Sequence, residues 1–209
     1  MKRPLLLTAA LLAGVLAVPA QASCRHLLTD VAGDVQETGT NPSAPIEDTR
    51  QVDLTSVDLT GDARTITAVL HVASLDPESK PYEAHSYDVG FSTETARFYL
   101  TASRGSYYHD EFTVVHRFGS PDAPEDQTPS TGPGEVLADA KGRFDERAGT
   151  ITITAPLSVF AGLGGLHGPL TKIRATTGAG TQVPGVEAYE LADSGRTDGF
   201  YRPGTRGCR

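Results

Sequence analysis

The chain has 209 residues, 26 acidic against 18 basic side chains for a formal charge of −8, and no Trp, one Met and two Cys. That acidity repels phosphate backbones and anionic lipid, so nucleic acid and membrane surfaces are excluded as natural partners. A single domain of this length buries about 70% of its unfolded surface, enough to form a core without a metal or a disulfide.

The N-terminus reads as an export signal. Lys2 and Arg3 give a positive start, Leu5 to Val18 an apolar run, and Pro19-Ala20-Gln21-Ala22 a small-residue cleavage site before Ser23. The run is shorter than the about 20 residues that span a bilayer. Lys2-Arg3 is not a twin-arginine pair, which favours the general secretory route. Gln21 stands where a lipobox wants Leu, which places lipid attachment at Cys24 second. Residues 1–22 are therefore expected to be removed, leaving 23–209 as one secreted, monomeric domain. In an oxidising compartment Cys24 and Cys208, at opposite ends of that domain, are expected to form a disulfide that brings the two ends together; two free thiols are the alternative.

The mature part is rich in Thr, Val, Gly and Pro and has no long 3.6-residue apolar period, which favours strands. Leu54 to Leu59 and Arg64 to Ala73 read as a hairpin closed by Thr60-Gly61-Asp62-Ala63, with Ile66, Ala68, Leu70 and Val72 on the buried side. Leu54 is out of phase with Val57 and Leu59, the mark of a bulge. After a Pro-containing loop at Leu75–Pro81, strands are expected at His85 to Phe91, Arg97 to Ala102 and Tyr107 to Phe118. Gly119 to Glu135 has the composition of an exposed loop. Val136 to Ala140, Arg143 to Asp145, Thr150 to Thr154 and Thr171 to Thr177 complete the strands, the last of them read as the final core strand. Pro156 to Gly162 is the one short helix. Eight or nine short strands with regular turn signals predict an all-β, antiparallel β-sandwich, jelly-roll or immunoglobulin-like in outline.

The densest carboxylate feature is Asp30-Val31-Ala32-Gly33-Asp34, followed by Asp53 and Asp58. A hard cation such as Ca2+ takes several oxygen ligands, and a short turn with a glycine can fold two carboxylates and a carbonyl toward one point. The spacing is not that of an EF-hand, and an acidic turn on a solvated surface is the plainer alternative. The Asp30–Asp34 opening, the strand Val52–Val57 with its partner Thr65–Leu70, and the run from Gly142-Arg143-Phe144-Asp145 to Thr150–Ile153 resemble the DOMON-like sandwich modules related to carbohydrate-binding family 9. The resemblance implies a secreted module with structural calcium near its first strand, Asp30 and Asp34 as ligands, and Asp53 beside them by proximity in the hairpin.

Sugar-binding modules of that kind stack aromatics, Trp above all, on sugar rings, and this chain has no Trp. Tyr82, Tyr87, Tyr107 and Tyr108 are the alternative platform, and Tyr107, Tyr108 and His109 are the ligand-contacting candidates. His109 and Glu111 share a strand face while His116 falls on the other, so these do not converge from a regular strand. No metalloprotease helix motif, nucleophile elbow or phosphate loop occurs. The sequence therefore predicts a non-enzymatic binding or accessory module for an extracellular glycan or protein, held by calcium. A hydrolase with an unrecognised site is the alternative.

Overall fold

The computed structural model describes residues 22–37, 49–75, 83–105, 108–118, 134–181 and 190–203. In chain order its strands are β1 (Ala22–Thr29), β2 (Gln36–Glu37), β3 (Leu54–Gly61), β4 (Thr65–Val72), β5 (Glu83–Ser92) and β6 (Arg97–Gly105). They continue with β7 (Tyr108–Arg117), β8 (Gly134–Asp139), β9 (Lys141–Asp145), β10 (Thr150–Pro156), β11 (Thr171–Thr181) and β12 (Glu190–Thr197). They form a five-stranded sheet in the order β1-β3-β4-β10-β9 and a seven-stranded sheet in the order β2-β12-β11-β5-β6-β7-β8. Every paired strand runs antiparallel, so the fold is the expected all-β sandwich.

Alternation places the core. Ile66, Ala68 and Leu70 of β4 and Ile151, Ile153 and Ala155 of β10 are fully buried, facing Tyr87, Val89 and Phe91 of β5 and Phe98, Leu100 and Ala102 of β6. Thr at the intervening β10 positions faces out, and the Thr67 and Thr154 hydroxyls bond across the pair at 2.9 Å. The β3–β4 hairpin turns where Asp62 Oδ1 accepts from the Arg64 and Thr65 amides at 2.7 and 2.8 Å. The register of this pair shifts between Leu54 and Ser56, at the place where the apolar phase breaks. The expected helix is a 3₁₀ turn at Leu157–Leu163. It drops Phe160 between the sheets, edge-on to Phe98 at 5.0 Å between ring centroids.

Three strands were not read from the sequence: β1, the two-residue β2, and β12. β1 contains a register shift between Cys24 and Leu28, which hides its alternation, and His26 there takes a left-handed backbone with φ 49°. β12 follows β11, so Thr171–Thr177 is neither the whole of its strand nor the last one. β12 lies against β1, with Gly195 in contact with Leu28. Cys24 is buried on β1, and no cysteine among the described residues is free, while Cys208 lies outside them. No helix among the described residues is long and apolar enough to cross a membrane.

The outer face of the seven-stranded sheet is polar yet partly closed. Cross-strand register sets Thr176, Asp88, Thr101 and Thr113 in one row, and Asp88 accepts a hydrogen bond from the Thr101 hydroxyl. Burial pushes the Asp88 carboxyl from 3.8 up to about 6, against the pull of Arg117 and Arg174. A raised carboxyl binds its proton more tightly folded than unfolded. Stability therefore falls as pH climbs from about 4 to about 6, by about 3 kcal/mol. Asp88→Asn is expected to remove that part of the slope, read from urea midpoints of both proteins at pH 4 and pH 7. Parallel losses in the two proteins would show that Asp88 does not titrate in this window.

Candidate metal centre

The loop after β1 turns back over the edge of the sandwich. Asp30 is tied to the five-stranded sheet through its amide, which donates to the Thr55 carbonyl at 3.0 Å. Gly33 takes φ +87°, a conformation that favours glycine, and its amide donates to Asp53 Oδ1 at 2.9 Å. Asp34 follows, exposed. Asp53 stands just before β3, with its amide on the Thr49 carbonyl and its own carbonyl accepting from Ala73.

The third carboxylate comes from the other sheet. Asp193 of β12 lies opposite Thr177 of β11, on the inward side, and its two oxygens accept from the Leu54 and Ser194 amides at 2.7 Å each. Next to it the Thr177 hydroxyl donates to the Val52 carbonyl, a second tie between the sheets. Asp34, Asp53 and Asp193 each present a carboxylate oxygen, and these atoms lie within 4.8 Å of one another. Asp53 and Asp193 are only 7% and 6% exposed.

The electrostatics of this group oppose each other. Burial first, and then the Asp30 and Asp34 charges, push the Asp193 carboxyl up to about 6 despite its two amide donors. The Asp30 carboxyl is raised by burial and by the Asp34 and Asp53 charges. Its Oδ2 is buried with no hydrogen-bond partner. Carboxylates crowded together at a partly buried corner need either protons or a cation. Ca2+ takes oxygen ligands at about 2.3–2.6 Å, so two oxygens on one ion stand no more than about 5 Å apart. The three carboxylates meet that limit, and the set contains neither His nor Cys, which suits a hard cation.

Of the residues singled out from sequence, Asp34 and Asp53 are brought together. Asp30 adjoins them without belonging to the group of three. Asp193, which joins them, was not anticipated, because the stretch around it reads as a Gly- and Asp-rich tail; its one signal is the alternation Leu191, Asp193, Gly195. Asp58 lies elsewhere, on β3, where it accepts from the His26 amide and meets His71 Nε2 at 3.1 Å.

Of the aromatic candidates, Tyr87 has a described side chain. Tyr87 is buried edge-on to Phe144 at 5.7 Å. Tyr82 and Tyr107 lie outside the described residues, as does the side chain of Tyr108. His109 is exposed near the start of β7. Asp110 is held by Arg104 at 2.9 and 3.1 Å, and the His116 ring packs on Phe98 and Phe118. Asp110 and His116 thus face different partners.

The fold and this carboxylate group define an antiparallel β-sandwich with a candidate hard-cation site at its edge. No family model matches the chain, and no curated protein or solved structure matches it either.

Proposed function

We propose that the chain is a secreted, non-enzymatic binding module in which Ca2+ at Asp34, Asp53 and Asp193 fastens one sheet to the other. The observation that carries this reading is the meeting of three carboxylates within 4.8 Å from three separate segments, two of them buried. The ion would supply the charge that this corner lacks. Asp53 enters the five-stranded sheet and Asp193 belongs to the seven-stranded one, so an ion on both cross-links the layers, and Asp34 closes it from the solvent side. The resemblance to DOMON-like modules agrees with such a role, and the leader 1–22 would deliver the protein to a compartment where calcium is plentiful. The ligand on this reading is an extracellular glycan or protein.

Thermal unfolding in calcium and in a chelator tests the site. Calcium at about one hundred times its dissociation constant adds about 2.7 kcal/mol, which in a domain of this size raises the melting temperature by about 5–10 °C. Asp34→Ala, at an exposed position, is expected to abolish most of that rise while leaving the chelated melt unchanged. Identical wild-type melts in both media would sink the reading.

We place a disulfide between Cys24 and Cys208 on the same reading, supported by the burial of Cys24 and by the contact of β1 with β12. Intact mass after alkylation without reductant is expected to show no added group. Two alkyl groups on the native protein would refute the pairing.

A further inference from the structure

The five-stranded sheet brings two histidines and a carboxylate together from three neighbouring strands. Where β1 loses register with β3, between Cys24 and Leu28, His26 takes φ 49° and its amide donates to Asp58 Oδ1. The other oxygen of that carboxylate, Oδ2, meets His71 Nε2 of β4 at 3.1 Å. The His26 and His71 rings lie 23° from parallel with their centroids 6.2 Å apart. His26 is exposed, and the side chains of Asp58 and His71 are partly open to solvent.

A left-handed backbone favours glycine, which would make this bulge with less strain. The bulge carries an imidazole instead, and sets it beside a second imidazole and a carboxylate that its own amide holds in place.

We propose that His26, Asp58 and His71 bind a divalent cation of the zinc class, which fastens the edge strand β1 to β3 and β4 where its backbone pairing lapses. Two imidazoles and one carboxylate are a donor set that suits Zn2+, whereas a group of carboxylates alone suits Ca2+. Tetrahedral Zn2+, with bonds of about 2.0–2.2 Å to nitrogen and oxygen, sets its donor atoms about 3.4 Å apart. His71 Nε2 and Asp58 Oδ2 already stand close to that separation, so the ion takes the place of the proton between them. Two imidazoles on one such ion have centroids about 5 Å apart. The exposed His26 ring closes the difference by turning about its side-chain bonds, while its amide keeps Asp58 Oδ1 in place from outside the coordination sphere. Three protein donors leave the fourth position to water. The site shares no residue with the group at Asp34, Asp53 and Asp193.

Calorimetric titration of Zn2+ into untagged protein tests it, with millimolar calcium present to compete at the carboxylate corner. Wild type is expected to bind zinc, with the ring Cε1 proton signals of two histidines moving in the NMR spectrum. His26→Gly and His71→Asn are each expected to weaken binding by more than about tenfold. His26→Gly keeps the amide on Asp58 and suits the left-handed backbone, so its melt without zinc should match or exceed that of wild type. Loss of a donor is thereby separated from loss of the fold. His109→Ala, exposed on β7 in the other sheet, is expected to bind zinc as wild type does. No zinc binding by wild type, or wild-type affinity in His26→Gly, overturns the proposal. Binding lost in Asp34→Ala but kept in His71→Asn would overturn it in favour of the carboxylate corner, and a loss confined to His109→Ala in favour of a surface histidine alone.

Discussion

Asp193→Ala is expected to lower the melting temperature in calcium by roughly 10–15 °C, the larger of the two effects that single substitutions in this protein should show. Two losses add. The cation's contribution disappears, about 2.7 kcal/mol at saturating calcium. The Leu54 amide, on a fully buried residue, also loses its acceptor, at about 1–3 kcal/mol for an unsatisfied buried donor. Asp193→Asn separates these terms. The amide side chain keeps the volume and one acceptor oxygen but carries no charge. In chelator at pH 7 it should match or exceed wild type, because burial and the Asp30 and Asp34 charges disfavour the ionised Asp193. In calcium it should fall behind. A full calcium response in Asp193→Asn would mean that Asp193 holds no ion.

Phe160→Ala is the second. Phe160 is fully buried and closes one end of the sandwich from the turn between β10 and β11, with its ring against Phe98 at 5.0 Å and Phe91 at 6.1 Å. Truncating such a side chain costs about 3–5 kcal/mol, or about 10 °C here. The exposed neighbour Ser158→Ala should shift stability by no more than about 0.5 kcal/mol. Combined with Phe98→Ala, the two core losses should fail to add by about 1 kcal/mol, since each removes the other's edge-to-face partner. A loss below about 1 kcal/mol for Phe160→Ala would show that the cavity refills or that the turn contributes little to the core.

How far the sequence carried these conclusions depended on whether a residue's surroundings were local. β4 and β10 were legible because each has one dry face and one wet face, so Ile66–Ala68–Leu70 and Thr150–Ile151–Thr152–Ile153 display the period of a strand. The bulge in β3 was legible as a break in that period. β12 was not, because its inward positions include Asp193 and Gly195, which read as turn residues. Asp193 is stable facing inward only because β3 offers it the Leu54 amide, and that amide lies 139 positions away in the chain. The same reason governs the candidate cation site. Asp34 and Gly33 were visible as a turn, and Asp53 as a nearby carboxylate. The carboxylate that completes the group comes from a strand whose place in the sheet is decided by pairing with β11.

One consequence concerns the rim of the seven-stranded sheet. Among the described residues, beyond β12 there is only β2, two residues long, pairing with Leu191 and Ala192. β2 begins two residues after Asp34, so the short segment that guards the rim is anchored by the loop that would hold the cation. A strand stripped of its guard exposes unpaired amides and carbonyls, a template onto which another copy of the chain can add. Calcium would then act as a chaperone of the folded state, keeping the rim shut to polymerisation, and the Asp193→Ala protein should scatter light on concentration where wild type in calcium stays clear.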